Sequence, residues 1–233
     1  MALTIVNSIG IRPDRIGQFQ DEVAQLAEAA TDKGEEWRWT AHRTLFGETL
    51  VMHFVTLTES FAELEPLGTV EELWTRVLGD KKGQEGFRDT NECVQTVQHT
   101  ISTLRPDLSY PPDELQPGAY PAAAVTSVRA RPGQAEACEE LIRKIAEAIP
   151  KTGDAARIIT NQSIIGELNL YWTVRPLRSL SDLDEQLPAP ELLNKAFGPA
   201  EGGLLWRSGS EAVEQARREI TGYVPELSNP PQS

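Results

Sequence analysis

The sequence contains few of the residues on which disulfide and metal chemistry depend. Of its 233 residues, only two are cysteines and three are histidines. Neither Cys93 nor Cys138 belongs to a CxxC pair or a Cys/His cluster, so the chain lacks the signature of a disulfide framework or a zinc site. Two such cysteines suit a reducing compartment, and we expect a cytoplasmic protein.

Basic charge and long apolar segments are also scarce. The chain has 22 lysines and arginines against 35 acidic residues, for a formal net charge of −13. Because such a chain is repelled by phosphate backbones and anionic lipids, we expect no nucleic-acid and no membrane partner. No apolar run approaches the roughly 18–20 residues of a membrane-spanning helix. The amino-terminal residues lack the basic region of a signal peptide.

Several well-known catalytic motifs are absent. The sequence has no GxSxG, P-loop, GxGxxG or HExxH pattern. This argues against an α/β-hydrolase, a kinase, a dinucleotide-dependent dehydrogenase and a zinc peptidase.

A nearly identical phrase closes each half of the sequence: LRPDLSYPP at 104–112 and YVPELSNPP at 223–231. A shift of 119 residues aligns the two phrases without a gap and gives 27 identities over the 109 pairs that begin at Thr4 and end at Pro112. Chance is a poor explanation for a match of this length, so the sequence indicates a tandem duplication. The first repeat spans 1–112, the turn-rich segment 113–121 is the linker, and the second repeat spans 122–233.

Periodicity predicts the elements of the repeat. The first repeat should contain a strand at 3–11, a helix from Pro13 to Gly34, strands at 35–46 and 48–57, short helices at 69–79 and 83–91, and a strand at 93–104. The counterpart of this last strand, 212–223, has a more helical pattern. The order β-α-β-β-α-β is that of a ferredoxin-like unit, whose sheet leaves one face uncovered. The predicted fold class is therefore α+β, with two tandem ferredoxin-like units forming an intramolecular α+β barrel.

The chain resembles the dimeric α+β barrel superfamily in a tandem-fused form. The likeness rests on IRP at the first helix, on the hairpin RTLFGETLVMHFV with its copy QSIIGELNLYWTV, on Ser60-Phe61 and Ser179-Leu180, and on the closing phrases. In pattern it is most similar to the NIPSNAP-like and antibiotic-biosynthesis-monooxygenase-like branch. The resemblance implies a barrel like that of cofactor-independent monooxygenases, polyketide cyclases, and haem-degrading or haem-binding enzymes, and it leaves the activity open.

The first repeat brings two of the three histidines together. If the hairpin turns at Gly47-Glu48, His42 lies directly opposite His53, and cross-strand partners share one face of a sheet. The face with the histidines is mixed and should line the barrel, whereas the more apolar face should pack on the helices. The mixed face carries Arg38, Thr40, His42, Thr44, Val51, His53 and Val55, and the apolar face carries Trp37, Trp39, Ala41, Leu45, Leu50, Met52 and Phe54.

Several roles remain open for this histidine pair. A neutral imidazole can act as a general base toward an acidic phenol or enol. Two histidines also begin a metal site, but the face offers no third ligand, so we expect no metal. Haem ligation is implied only by the resemblance, and we otherwise expect no cofactor. The other interpretation is that both histidines are hydrogen-bonded filler inside the barrel.

These observations predict binding of a small, largely apolar or aromatic molecule, and cofactor-independent oxygenation or cyclisation of it. His42 and His53 would be base and orienting partner, and Arg38, Thr40 and Thr44 would hold a substrate oxygen. The matching residues of the second repeat are Arg157, Asn161, Ser163 and Trp172. The alternatives are a non-catalytic ligand-binding or assembly protein with a filled barrel, and a haem-binding protein. Pairing of two fused chains into a homodimer is also open.

Overall fold

The computed structural model describes residues 2–111, 119–153 and 156–231. Of the predicted linker 113–121, residues 113–118 lie outside the described part, and 119–121 form a bend. Among the described residues, no helix combines the length and the apolar character needed to cross a membrane.

The two halves of the chain have the same order of elements. The first half contains β1 (Leu3–Ile11), α1 (Ile16–Asp32), β2 (Thr40–Phe46), β3 (Val51–Thr58), α2 (Val70–Leu78), α3 (Asp80–Cys93) and β4 (Val94–Leu104). The second half contains β5 (Ala122–Ala130), α4 (Ala135–Thr152), β6 (Ile159–Ile165), β7 (Leu170–Leu177), α5 (Ala189–Phe197), α6 (Pro199–Glu211) and β8 (Val213–Tyr223). The predicted last strand of the second repeat is present as β8, although the sequence of 212–223 has a more helical pattern. Tertiary pairing overrides its local composition.

Local sequence explains where the helices of the first half begin and end. Pro13 lies in a short 3-10 turn before α1, where its missing N–H costs no helical hydrogen bond. Gly34 follows α1 with a positive φ of 65°, which ends the helix at little steric cost. Thr69 and Glu72 form a reciprocal capping box at the start of α2.

Hydrogen bonds join the strands in the order β1-β3-β2-β8-β5-β7-β6-β4, which closes on itself. The fold is thus mixed α+β with a closed eight-stranded barrel. By contacts, the chain divides into two compact units, Met1–Ile101 with Thr221–Ser233, and Ser102–Ile220. The division falls inside β4 and β8, so each compact unit contains the closing phrase of the other sequence repeat.

The helices cover one face of the sheet in each compact unit. In the first, Phe19 and Val23 of α1 pack with Ala41 and Met52 of the hairpin. In the second, Cys138 of α4 is fully buried in a cluster with Tyr171. The assignment of Ala41 and Met52 to the helix-facing side of the hairpin is confirmed.

The register of the first hairpin is the predicted one, but its tip is longer. Thr40 pairs with Val55 and His42 with His53, whereas β2 ends at Phe46 and β3 begins at Val51. The predicted two-residue turn at Gly47-Glu48 is therefore wrong in length. Leu50 has a φ of 69°, and this left-handed residue takes part in the wider turn.

The closing phrases anchor the first strand of each hairpin. Ser228 Oγ accepts a hydrogen bond from Ala41 N at 2.9 Å and donates to Val224 O at 2.8 Å. Ser109 Oγ likewise accepts from Thr160 N at 3.0 Å and donates to Arg105 O at 2.8 Å. The leucine before each serine, Leu108 or Leu227, is buried in the core.

Asn229 adds a second anchor to the first hairpin. Its backbone N–H and C=O pair with those of Trp39, and its buried side chain accepts from Arg38 Nη1 at 2.8 Å and donates to Trp37 O at 2.7 Å. The carboxyl-terminal residues thus hold β2 and the residues just before it.

We expect Ser228→Ala to lower the free energy of unfolding by about 1–3 kcal/mol, because the buried N–H of Ala41 loses its acceptor. Urea denaturation measures the change, and Ser208→Ala, at an exposed position of α6, is the control. Equal stability of the Ser228 variant and the parent protein would contradict this account of the closing phrase.

Candidate functional site

His42 and His53 lie side by side on adjacent strands of the first compact unit. They are directly paired in the antiparallel register of β2 and β3, and both are half-buried. Their neighbours Ala41 and Met52 face the helices, so alternation along each strand turns both imidazoles to the opposite face. The proximity predicted from the sequence is therefore present.

His53 is held at both ring nitrogens by hydroxyl groups. Ser8 Oγ lies 2.9 Å from Nδ1 and Thr44 Oγ1 lies 3.2 Å from Nε2. Ser8 reaches the ring because it pairs directly with His53 across β1 and β3. Two partners on opposite sides of the ring fix its orientation.

His42 is held at only one ring nitrogen by the described residues. Its Nε2 lies 3.0 Å from Thr40 Oγ1, a hydroxyl two residues away on the same strand face. The ring of Tyr223 lies beside it, with centroids 5.6 Å apart and planes tilted by 46°. No protein partner within 2–111, 119–153 and 156–231 is assigned to Nδ1, so this is the site's candidate nitrogen for a ligand.

Both imidazoles are neutral at neutral pH. Burial, and to a smaller extent the charge of a protonated His53, lowers the pKa of His42 to about 4. Burial also lowers the pKa of His53 to about 4, against an opposing effect of the Glu48 carboxylate. Removal from water disfavours the charged imidazolium in each case.

The remaining predicted residues of the first repeat occupy different surroundings. Thr40 and Thr44 each bond to one of the histidines. The guanidinium of Arg38 donates to Asn229 Oδ1. In this structure Arg38 therefore contacts the carboxyl-terminal segment through that group.

The corresponding position of the second compact unit has the same framework with different chemistry. Asn161 pairs with Trp172 across β6 and β7, and Ser127 pairs with Trp172 across β5 and β7. The indole Nε1 of Trp172 is buried and has no hydrogen-bond partner among the described residues. Ser163 Oγ donates to the backbone of its own strand, at Ile165 O, and Arg157 is half-buried just before β6.

These residues do not form a metal site. Within the described part of the chain, no group of three or more His, Cys, Asp or Glu side chains is arranged to hold a metal ion. His53 does not fit as a haem ligand, because each of its nitrogens is bonded to a hydroxyl. For His42 only Nδ1, the nitrogen nearer its own backbone, remains.

Sequence reasoning missed Ser8 and Tyr223. Tyr223 follows His42 by most of the chain length, and no local pattern links them. Ser8 carried a usable signal, because it is identical to Ser127 in the repeat alignment while most residues of its strand differ.

A scan against protein-family models finds no match, and a search of the curated proteins finds none either. Solved structures do match along nearly the whole chain. An anthrone oxidase-like protein is 15% identical, with a TM-score of 0.61 over 96% of this chain and 91% of its own.

Two further structures extend this comparison. A candidate monooxygenase from Lactobacillus acidophilus NCFM is 6% identical, with a TM-score of 0.54 over 95% of this chain and 93% of its own. Chlorite dismutase from Candidatus Nitrospira defluvii, in complex with imidazole, is 9% identical, with a TM-score of 0.53 over 97% and 93% of the two chains. These neighbours have the α+β barrel fold. The present chain shares that fold, and identities this low show nothing more.

The neutral histidines should make stability depend on pH. Their pKa is about 4 in the folded chain and about 6.5 in an unfolded chain. Between these values the unfolded state binds more protons, so stability is fully present above pH 6.5 and falls by several kcal/mol as the pH approaches 4. Urea midpoints measured across this range should show the slope.

The double variant His42→Gln, His53→Gln should flatten that slope. His99→Gln is the control, because His99 is exposed and bonds only to Asn7 among the described residues. A slope unchanged in the double variant would show that these two imidazoles are not the groups that titrate.

Proposed function

We propose that the chain binds a small, largely apolar or aromatic molecule with a weakly acidic oxygen or carbon at His42 and His53. It then acts on this molecule without a cofactor, by abstracting a proton in a step that leads to oxygenation or cyclisation. One observation carries the proposal: two neutral imidazoles share one sheet face, one held at both nitrogens and the other at one.

The two histidines then have different roles. His42 is the proton acceptor, because its Nδ1 is available to a ligand while Thr40 holds Nε2. His53 is the orienting partner, fixed by Ser8 and Thr44. A base must lie within hydrogen-bond reach of the proton it removes, so the ligand must lie against the edge of the His42 ring.

Basicity limits the class of substrate. For a phenol with a pKa near 10, transfer of the proton to a base with a pKa of about 4 costs roughly 8 kcal/mol before the two charges attract. For an enol or an activated C–H whose pKa is several units lower, the cost of proton transfer is smaller. The attraction between the two charges in a buried site can then offset this cost. The proposed substrates are therefore polyketide-like aromatic ketones, diketones and enols rather than simple phenols.

Other polar residues would bind the ligand. Thr40 and Thr44 are hydrogen-bonded to the histidines. Arg38 would have to give up its hydrogen bond to Asn229 in order to bind a ligand oxygen. Arg157, Asn161, Ser163 and Trp172 would form the matching polar position of the second repeat. The names of the structural neighbours, an anthrone oxidase-like protein and candidate monooxygenases, support oxygenation as the reaction.

A non-catalytic ligand-binding or assembly protein is the second candidate. It is favoured by the low pKa of both imidazoles and by the bonds that His42 and His53 make within the chain, since buried, satisfied histidines also serve as core residues. The haem-binding alternative has less support, because the ring nitrogens are largely engaged, and we derive no step through haem.

The finer fold assignment is also a proposal. We infer that the two halves are ferredoxin-like units produced by tandem duplication, on the basis of the repeated element order and the 27 identities. On the pattern of the hairpin we place the chain nearest the NIPSNAP-like branch. A cytoplasmic protein whose partner is a small molecule is consistent with its acidic composition.

The test uses anthrone as the probe, with binding followed by tryptophan fluorescence and turnover by oxygen consumption. We expect His42→Gln to lower turnover at least about 100-fold, the lower range for a lost general base, with a smaller change in affinity. His53→Gln should lower turnover by a smaller factor, because it removes the orienting partner and not the base.

His99→Gln is the matched control and should behave as the parent protein. Binding without oxygen consumption would favour the non-catalytic candidate. Turnover that is equal in the parent and the His42 variant would disprove the assignment of the base.

A further inference from the structure

Ser8, His53 and Thr44 form a continuous chain of hydrogen-bonding groups. Ser8 Oγ is 2.9 Å from His53 Nδ1, and Thr44 Oγ1 is 3.2 Å from Nε2. Because both partners are hydroxyls, either tautomer of His53 satisfies both contacts. In the tautomer with its hydrogen on Nε2, the Ser8 hydroxyl donates to Nδ1 and the Nε2–H donates to Thr44. A hydroxyl, a neutral imidazole that accepts from it and a third group that orients the imidazole are the parts of an activated nucleophile.

We propose that Ser8 is a nucleophile that accepts an acyl group from an activated ester or thioester, with His53 as its base. This activity goes beyond the proposed function, in which His42 is the base and Ser8 only orients His53. Ser8, His53 and Thr44 are all half-buried rather than fully buried in the core, and the proposal requires that a small acyl donor reaches their exposed part.

The step is balanced by the acyl donor and water. Ser8 Oγ attacks the carbonyl carbon while its proton passes to His53 Nδ1, and the bond from that carbon to the leaving oxygen or sulfur then breaks. The leaving group takes the proton from His53 and departs as an alcohol or thiol. Water attacks the acyl-serine in a second, slower step and releases a carboxylic acid.

Basicity decides which donors react. His53 is neutral at pH 7 but a weak base, since burial lowers its pKa to about 4. Its third group is a threonine hydroxyl, which orients the ring without the charge of a carboxylate. Such a base suffices only where the leaving group is good, as in nitrophenyl esters and thioesters.

The second repeat contains a matched control within the same chain. Ser127 is the repeat partner of Ser8, lies on the corresponding strand and is also half-buried. Its cross-strand partner is Trp172, whose indole nitrogen carries a hydrogen and cannot accept a proton. Ser8 and Ser127 therefore differ mainly in the base opposite them.

The experiment treats the full chain with p-nitrophenyl acetate at neutral pH. Release of nitrophenolate is followed by absorbance, and the acetylated residue is identified by peptide mass spectrometry. We expect a burst of about one equivalent with acetyl on Ser8 and none on Ser127, and a burst rate that declines as the pH falls through about 4.

Variants separate this activity from the proposed function. Ser8→Ala should abolish the burst, whereas His42→Gln should retain it within about threefold while it removes the oxygenase activity. Thr44→Val should slow the burst without moving the label from Ser8. Equal labelling of Ser8 and Ser127, or no labelling of Ser8 in the parent protein, would overturn the proposal even if every variant failed to fold.

Discussion

The hydrogen bonds between the closing phrase and the first hairpin strand are the constraint on which the candidate site depends. Ala41 is tied on both sides to the carboxyl-terminal segment: its N–H donates to Ser228 Oγ, and its C=O accepts from Val224 N. His42 follows Ala41, so the strand that carries the imidazole is fixed directly beside it. Tyr223, next to Val224, is placed against the imidazole by the same segment. Catalytic side chains need such rigid support, because small displacements of the reacting groups cost large factors in rate.

The hydrogen bonds of the closing phrase are repeated in the second half of the chain, but the histidine pair is not. Ser109 and Ser228 make the same pair of hydrogen bonds at corresponding places. The paired positions that follow hold His42 with His53 in one compact unit and Asn161 with Trp172 in the other. Fold stability requires the hydrogen-bonding serine of the closing phrase in both halves. The proposed single reactive centre would require the histidine pair in one half only, and the pair is present in one half only.

The sequence predicts the histidine pairing well because strand periodicity and register are local properties. A Gly-Glu turn and alternating residues are enough to place His42 opposite His53. The length of the tip depends on backbone conformation at Leu50, which has a positive φ where the other hairpin has Asn169, and a leucine gives no local sign of it. The strand β8 and the contact with Tyr223 depend on pairing between distant segments. The identity of Ser8 and Ser127 was a further long-range clue to the site in the repeat alignment.

Burial of the imidazoles has two opposite effects on chemistry at this site. Desolvation weakens each histidine as a base, because an isolated imidazolium is poorly stabilised there. The same low dielectric strengthens the attraction between an imidazolium and an anion formed next to it. At neutral pH, a proton on His42 is therefore stabilised best when its donor stays in place as the paired anion. The proposed substrate is therefore an acidic organic molecule that remains bound after it ionises, because the hydroxyl partners of the histidines are neutral and the ligand would supply compensating charge.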